Sequence, residues 1–150
     1  MAEVQAKGQV DFLAEVRKLR KTLQGVDFFN RLKLEELELL VDNLKKRTVP
    51  RGQILISQGE KAADAFYMIS SGRCTVWIKK GSAMIKVADL GPDQYFGEKA
   101  LVTNEPRAAT VRAETACELY VLYKEDFNTI IMHNPSIAQE IKFHIAQYKK

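Results

Sequence analysis

The sequence predicts an α+β fold that is mainly β, with small antiparallel strands winding into a roll or barrel between N-terminal and C-terminal helical flanks. Three observations predict it. Apolar residues recur every three or four positions near both ends of the chain, the period of an amphipathic helix. From Thr48 the period drops to two, as it does where alternate side chains face opposite sides of a sheet. The turn signals Pro50-Arg51-Gly52, Gly59-Glu60, Ser71-Gly72, Gly81-Ser82 and Gly91-Pro92 follow one another every seven to thirteen residues, the spacing of short strands in an all-β roll.

Taken in order, Val10, Leu13, Val16, Leu19 and Leu23 fall at helical steps, with Arg17, Lys18, Arg20 and Lys21 between them. This basic run reads as the solvated face of an amphipathic helix, since Leu19 interrupts it and Glu15 and Leu23 flank it. Gly25 ends the helix, and an apolar knot from Val26 to Leu32 leads to a second helix whose stripe is Leu37, Leu40, Val41 and Leu44. Strand-like runs follow at 54–56, 65–69, 74–78 and 84–87, then at 109–113 and 117–123. Trp77 lies within an alternating run and is expected to pack in the core or on the roll surface. Helical periodicity returns over 125–132, and Pro135 opens a last helix whose Ile137, Ile141, Ile145 and Tyr148 need a docking surface. The chain therefore divides into a helical flank (1–46), a β-region (47–123) and terminal helices (124–150), all parts of one domain.

The composition fits that reading. A chain of 150 residues, 46% apolar and 28% charged, sustains one hydrophobic core and argues against disorder or a coiled coil. The net charge of +4 is dispersed: residues 1–50 carry ten basic and eight acidic groups, 51–123 nine and eight, and 124–150 four and three. No segment concentrates Lys and Arg as nucleic-acid binders do, so no nucleic-acid ligand is expected. Cys74 and Cys117 each sit in a strand-like run and are expected as buried thiols, and neither they nor His133 and His144 have metal-ligand spacing. No run approaches the ~20 apolar residues of a membrane span, so direct membrane insertion is not expected and a reducing cytoplasm fits best.

The segment 95–111 interrupts the β-pattern and carries the chemistry. Gly97 permits a sharp turn, after which Glu98-Lys99-Ala100-Leu101 can form one helical turn whose leading N–H groups point outwards and favour an anion, above all a phosphate. Nine residues beyond Glu98, Arg107 supplies a planar fork of donors matched to two phosphate oxygens, and Ala108 and Ala109 let a ligand approach the backbone closely. An acid beside a phosphate needs its own reason, and a ribose hydroxyl supplies one for Glu98. The competing assignment for Arg107 is a salt bridge to Glu98 or Glu105. Phosphate, ribose hydroxyl and close backbone approach together describe a nucleotide with a single phosphate group.

The strings Phe96-Gly97-Glu98-Lys99-Ala100-Leu101 and Pro106-Arg107-Ala108-Ala109-Thr110-Val111 resemble the phosphate-binding cassette of cyclic-nucleotide-binding domains, particularly those of cAMP- and cGMP-dependent protein kinase regulatory regions. The resemblance extends through Gly52, Gly59-Glu60, Asp64, Phe66-Tyr67 and Gly72 to both helical flanks. It implies an eight-stranded antiparallel β-roll, jelly-roll-like, holding a 3′,5′-cyclic nucleotide against the cassette, with no further cofactor. It places Arg107 on the exocyclic phosphate oxygens, Glu98 on the ribose 2′-hydroxyl, and N–H groups near Gly97, Ala100 and Ala109 around the phosphate. It further makes Leu101 the hinge residue, Val87 and Leu90 candidates for the base wall, and Phe143 or Tyr148 a lid. Lys99 departs from the aliphatic residue common at its position. Guanine-selective relatives carry Thr or Ser where this chain has Ala108, so the resemblance leans towards cAMP over cGMP, with a kinase catalytic domain as partner in cis or in trans.

Other classes fit less well. A catabolite-activator type of transcription factor would need a helix-turn-helix beyond the last helix, and the sequence stops at Lys150 without one. A channel sensor would look similar but calls for membrane spans elsewhere. No phosphate-loop, zinc or nucleophile-elbow signature is present, and a lone Glu98 lacks the paired acid and base of a hydrolase. A non-catalytic regulatory module is therefore expected.

Overall fold

A computed structural model describes the backbone of residues 2–61 and 64–148 and the side chains of residues 13–61 and 64–142. The β-region forms eight strands: β1 (Lys45–Val49), β2 (Ile54–Ile56), β3 (Ala65–Ser71), β4 (Cys74–Lys80), β5 (Ala83–Leu90), β6 (Tyr95–Phe96), β7 (Thr110–Ala113) and β8 (Cys117–Tyr123). They build two four-stranded sheets, ordered β1-β8-β3-β6 and β2-β7-β4-β5, in which every pairing is antiparallel. This is the mainly-β roll that the sequence predicts.

Four helices flank the roll: α1 (Ala2–Gln24), α2 (Leu34–Asp42), α3 (Lys124–His133) and α4 (Pro135–Tyr148), with 3-10 turns at Asp27–Phe29 and Glu98–Leu101. The first sheet is the middle of three layers. On β3, Phe66 and Met68 face the helices while Ala65, Tyr67 and Ile69 face the second sheet, so five consecutive residues are buried. Strand β8 divides its residues in the same way, with Tyr120 and Leu122 towards the helices and Leu119 and Val121 towards the second sheet. A strand covered on both sides reads as a continuous apolar run rather than an alternation.

The helical layer closes over β3 through the apolar knot. Phe28 and Phe29 are buried, and the Phe29 ring lies 6.0 Å from that of Phe127 on α3. Leu37, Leu40 and Val41 are buried as the stripe requires, whereas Leu44 lies beyond the end of α2 and is half-buried. Gly25 ends α1, its N–H donating to the carbonyls of Lys21 and Thr22. Among the described side chains, the apolar stripe of α1 that packs on the core starts at Val16. Leu13, expected within it, is 54% exposed and packs against neither core cluster. The side chains of Val10, Phe143, His144, Ile145 and Tyr148 lie outside the described residues.

Two strands escape the sequence pattern. In β1 only Val49 is buried, and Lys45, Lys46 and Arg47 precede it on a strand that lies at a sheet edge, where charge blunts unwanted pairing. Strand β6 has two residues, too few for any period. Trp77 lies on the outer face of the second sheet, where Nε1 donates to Thr75 Oγ1 at 2.9 Å and the Arg112 guanidinium sits 5.6 Å from the ring centre. Cys74 and Cys117 are buried free thiols with their Sγ atoms 3.9 Å apart.

Candidate functional site

Between β6 and β7 the chain leaves the sheets for residues 97–109. Gly97 adopts φ 82°, and a Cβ there would meet Arg107 Nη1 at 2.9 Å, the Ala65 carbonyl at 3.1 Å and Ile56 Cδ1 at 3.3 Å. Both the backbone angle and the space therefore call for glycine. The Glu98–Leu101 turn follows, and the Ala100 N–H donates back to the Gly97 carbonyl at 3.2 Å. Ala100 and Leu101 are both buried, and Leu101 joins the same core as Phe66, Phe127 and Ile137.

Arg107 is held from both ends. Its N–H donates to the Glu60 carbonyl at 2.9 Å, and its carbonyl accepts from the Gly59 N–H at 2.8 Å. The side chain turns inwards: Nη2 donates to the Ala65 carbonyl at 2.7 Å and Nη1 to the Gly97 carbonyl at 3.2 Å. Nε is buried and has no hydrogen-bond partner among the described residues. Among those residues no salt bridge engages Arg107, so the pairing with Glu98 or Glu105 weighed from the sequence is not formed. Two main-chain carbonyls take the guanidinium instead. Burial pushes its pKa below the usual arginine value, and the nearby Tyr67, Glu60, Asp64 and Glu98 offset part of that shift.

These elements enclose a cavity of about 320 Å³, within the size range of small-ligand sites. Ile56, Val76, Phe96 and Val111 form an apolar wall from the roll. Gly97, Glu98, Lys99 and Ala100 line one flank, and Arg107, Ala108 and Ala109 the other. Phe96 is fixed by stacking on Tyr67, with ring centres 5.0 Å apart.

Three residues singled out from the sequence lie elsewhere. Leu101 sits behind the cavity in the helical core rather than on its lining. Val87 is 51% exposed on the edge strand β5 and does not line the cavity. The register there runs from Val76 opposite Ala88 to Trp77 opposite Lys86, which leaves Val87 as the extra residue of a bulge. Leu90 packs against the core between the sheets. Sequence reasoning missed the wall residues Ile56 and Val76, which lie outside the 95–111 segment, and gave no lining role to Thr103, Glu105, Pro106 or Val111 within it. Strand parity could have found two of them, since Val76 shares a face with Cys74 and Val111 with Ala113.

A two-sheet roll with a guanidinium and a glycine turn at a nucleotide-sized cavity defines a ligand-binding domain. The chain belongs to the cyclic nucleotide-binding domain family, whose sequence profile matches residues 46–134. It is 35% identical over 118 residues to a cyclic nucleotide-gated potassium channel of Rhizobium etli, covering 79% of this chain and 32% of the channel. It is 33% identical over 130 residues to a cAMP-dependent protein kinase regulatory subunit of Neurospora crassa, covering 80% of this chain and 34% of that subunit. The regulatory domain of Toxoplasma gondii PKA, solved with cAMP, superposes with a TM-score of 0.69 at 29% identity, covering 78% of this chain and 44% of that one. The chain thus spans about a third of the length of these two curated relatives. No helix among the described residues is long and apolar enough to cross a membrane.

Proposed function

We propose that the cavity takes a 3′,5′-cyclic nucleotide, cAMP in preference to cGMP, and that the domain passes binding on as the regulatory module of a cyclic-nucleotide-dependent protein kinase. The observation that carries this reading is the state of Arg107: a half-buried guanidinium on a cavity wall, with a buried Nε that has no partner among the described residues. A cation taken out of water without a carboxylate is costly, and an anion in the cavity offsets that cost. A phosphodiester fits: it carries one negative charge, and its two exocyclic oxygens accept the parallel bonds of a guanidinium fork. The Ala100 N–H is taken by the Gly97 carbonyl, so the neighbouring N–H groups of residues 97–99 and the closely approachable backbone at Ala108 and Ala109 complete the cradle.

Glu98 lines the same cavity and accepts the ribose 2′-hydroxyl. The apolar wall of Ile56, Val76 and Val111 suits the nucleoside. Ala108 offers only a methyl group where a hydroxyl would meet a guanine amino group, which favours adenine. With Glu98 engaged by the sugar hydroxyl, the site binds and releases its ligand rather than turning it over. Likeness to the Neurospora crassa subunit and to the Toxoplasma gondii domain solved with cAMP supports the kinase reading. Likeness to the potassium channel supports a second reading, in which the same ligand site serves as a channel sensor.

Isothermal titration of the wild type and Arg107→Ala with cAMP and cGMP tests the site. Loss of two charge-assisted bonds, roughly 3–5 kcal/mol together, weakens cAMP binding by about two to four orders of magnitude. A variant that binds both nucleotides as the wild type does refutes the assignment.

A further inference from the structure

We propose that Lys124 is a positioning residue that ties the segment just after the Glu98–Leu101 turn to the first turn of α3, so that a shift of that turn is passed directly to the helix. This rests on the cyclic-nucleotide reading of the cavity. Lys124 is the first residue of α3. Its Nζ donates to the Thr103 carbonyl at 3.0 Å and to Asn104 Oδ1 at 2.7 Å. Thr103 is in turn fastened to the turn itself, because its N–H and its Oγ1 both donate to the Lys99 carbonyl, at 2.9 Å and 3.0 Å. Lys99 lines the cavity. An unbroken series of hydrogen bonds therefore runs from the cavity lining to the N-terminus of α3.

The same residue reaches the other side of the site. The Lys124 N–H donates to the Asp64 carbonyl at 2.7 Å, and the adjoining Ala65 carbonyl accepts from Arg107 Nη2. Lys124 thus holds both the flank that carries Lys99 and the backbone that holds Arg107. Helix stability gives no reason for a lysine there. A cation in the first turn opposes the helix dipole, whereas Glu125 and Asp126, which follow it, favour that dipole. The ammonium group supplies three donors, and two acceptors from the cassette take two of them. Rearrangement of the turn must carry Lys124 along or break its bonds, and either outcome alters the start of α3.

Hydrogen exchange of the full chain, with and without saturating cAMP, tests the link in wild type, Lys124→Met, Lys124→Arg and Asn104→Ala. In the wild type cAMP changes exchange across 125–133 by about tenfold. Lys124→Met, which keeps the main-chain bond to Asp64, loses most of that change even when saturated with cAMP, because the side-chain link is removed. Lys124→Arg restores the response, and Asn104→Ala, which removes one acceptor and leaves the Thr103 carbonyl, gives an intermediate one. A full response in Lys124→Met, no restoration in Lys124→Arg, or no response in a wild type that binds cAMP overturns the link alone. Failure of the wild type to bind either cyclic nucleotide overturns the nucleotide reading and the link together.

Discussion

A methyl group on residue 97 would face two separate costs. A non-glycine residue at φ 82° carries roughly 1–2 kcal/mol of backbone strain, and its Cβ would press on Arg107 Nη1 and on the Ala65 carbonyl that holds Nη2. Gly52 separates the two effects, since it has φ 88° but nothing within 4 Å of an added Cβ. Gly52→Ala is therefore expected to lose about 1–2 kcal/mol in urea denaturation, and Gly97→Ala more than that. Only Gly97→Ala is expected to weaken cAMP binding as well, by at least about tenfold, because a displacement of the guanidinium by a few tenths of an ångström degrades charge-assisted bonds. Equal affinities in the two variants would show that Arg107 has room to adjust.

Among the elements, the contact between β4 and β8 joins the two sheets through a pair of thiols. Burial and the neighbouring Cys117 push the Cys74 pKa up from 9.0 to about 12. An unfolded chain releases that proton at the lower pKa and the folded one at the higher, so the unfolded state binds fewer protons between them. The stability due to the neutral thiol is whole below about pH 9 and declines as the pH rises towards 12, by at most about 1.4 kcal/mol per pH unit. Urea denaturation at pH 8 and pH 10.5 should show a steeper loss in the wild type than in Cys74→Ala, and parallel losses would refute the assignment.

The sequence revealed elements wherever a pattern ran long enough to have a period. Strands β3 and β8 announce themselves as apolar runs because helices cover one face and the second sheet the other. Strand β1 does not, since its charges serve a sheet edge, and β6 is too short. Within the site, residues 96–100 and 107–109 were legible because glycine, a small-residue pair and an arginine at that distance are chemically unusual together. Ile56, Val76 and Val111 were not, being ordinary strand residues that only the pairing of β2, β7 and β4 brings to one wall. The partners of Arg107 were equally hidden: they are main-chain carbonyls, which no residue type encodes.

On the scale of the whole molecule, the cavity and the core are not independent. Ala100 lines the cavity while Leu101, the next residue, packs among Phe66, Phe127 and Ile137, which bind the middle sheet to α3 and α4. A ligand that fixes the Glu98–Leu101 turn therefore fixes a piece of the core shared by the roll and the terminal helices, and that arrangement is lost on unfolding. Mass action sets the size of the effect, because a ligand confined to the folded state at about 100 times its Kd adds about 2.7 kcal/mol. For a chain of 150 residues that amounts to a rise of roughly 5–10 °C in Tm. Calorimetric scans with cAMP should show one transition moving upwards as a unit, since the shared core couples roll and helices. In Arg107→Ala at the same cAMP concentration the shift should nearly vanish, and a cAMP-dependent shift of undiminished size would mean that the nucleotide stabilises the fold from somewhere other than this cavity.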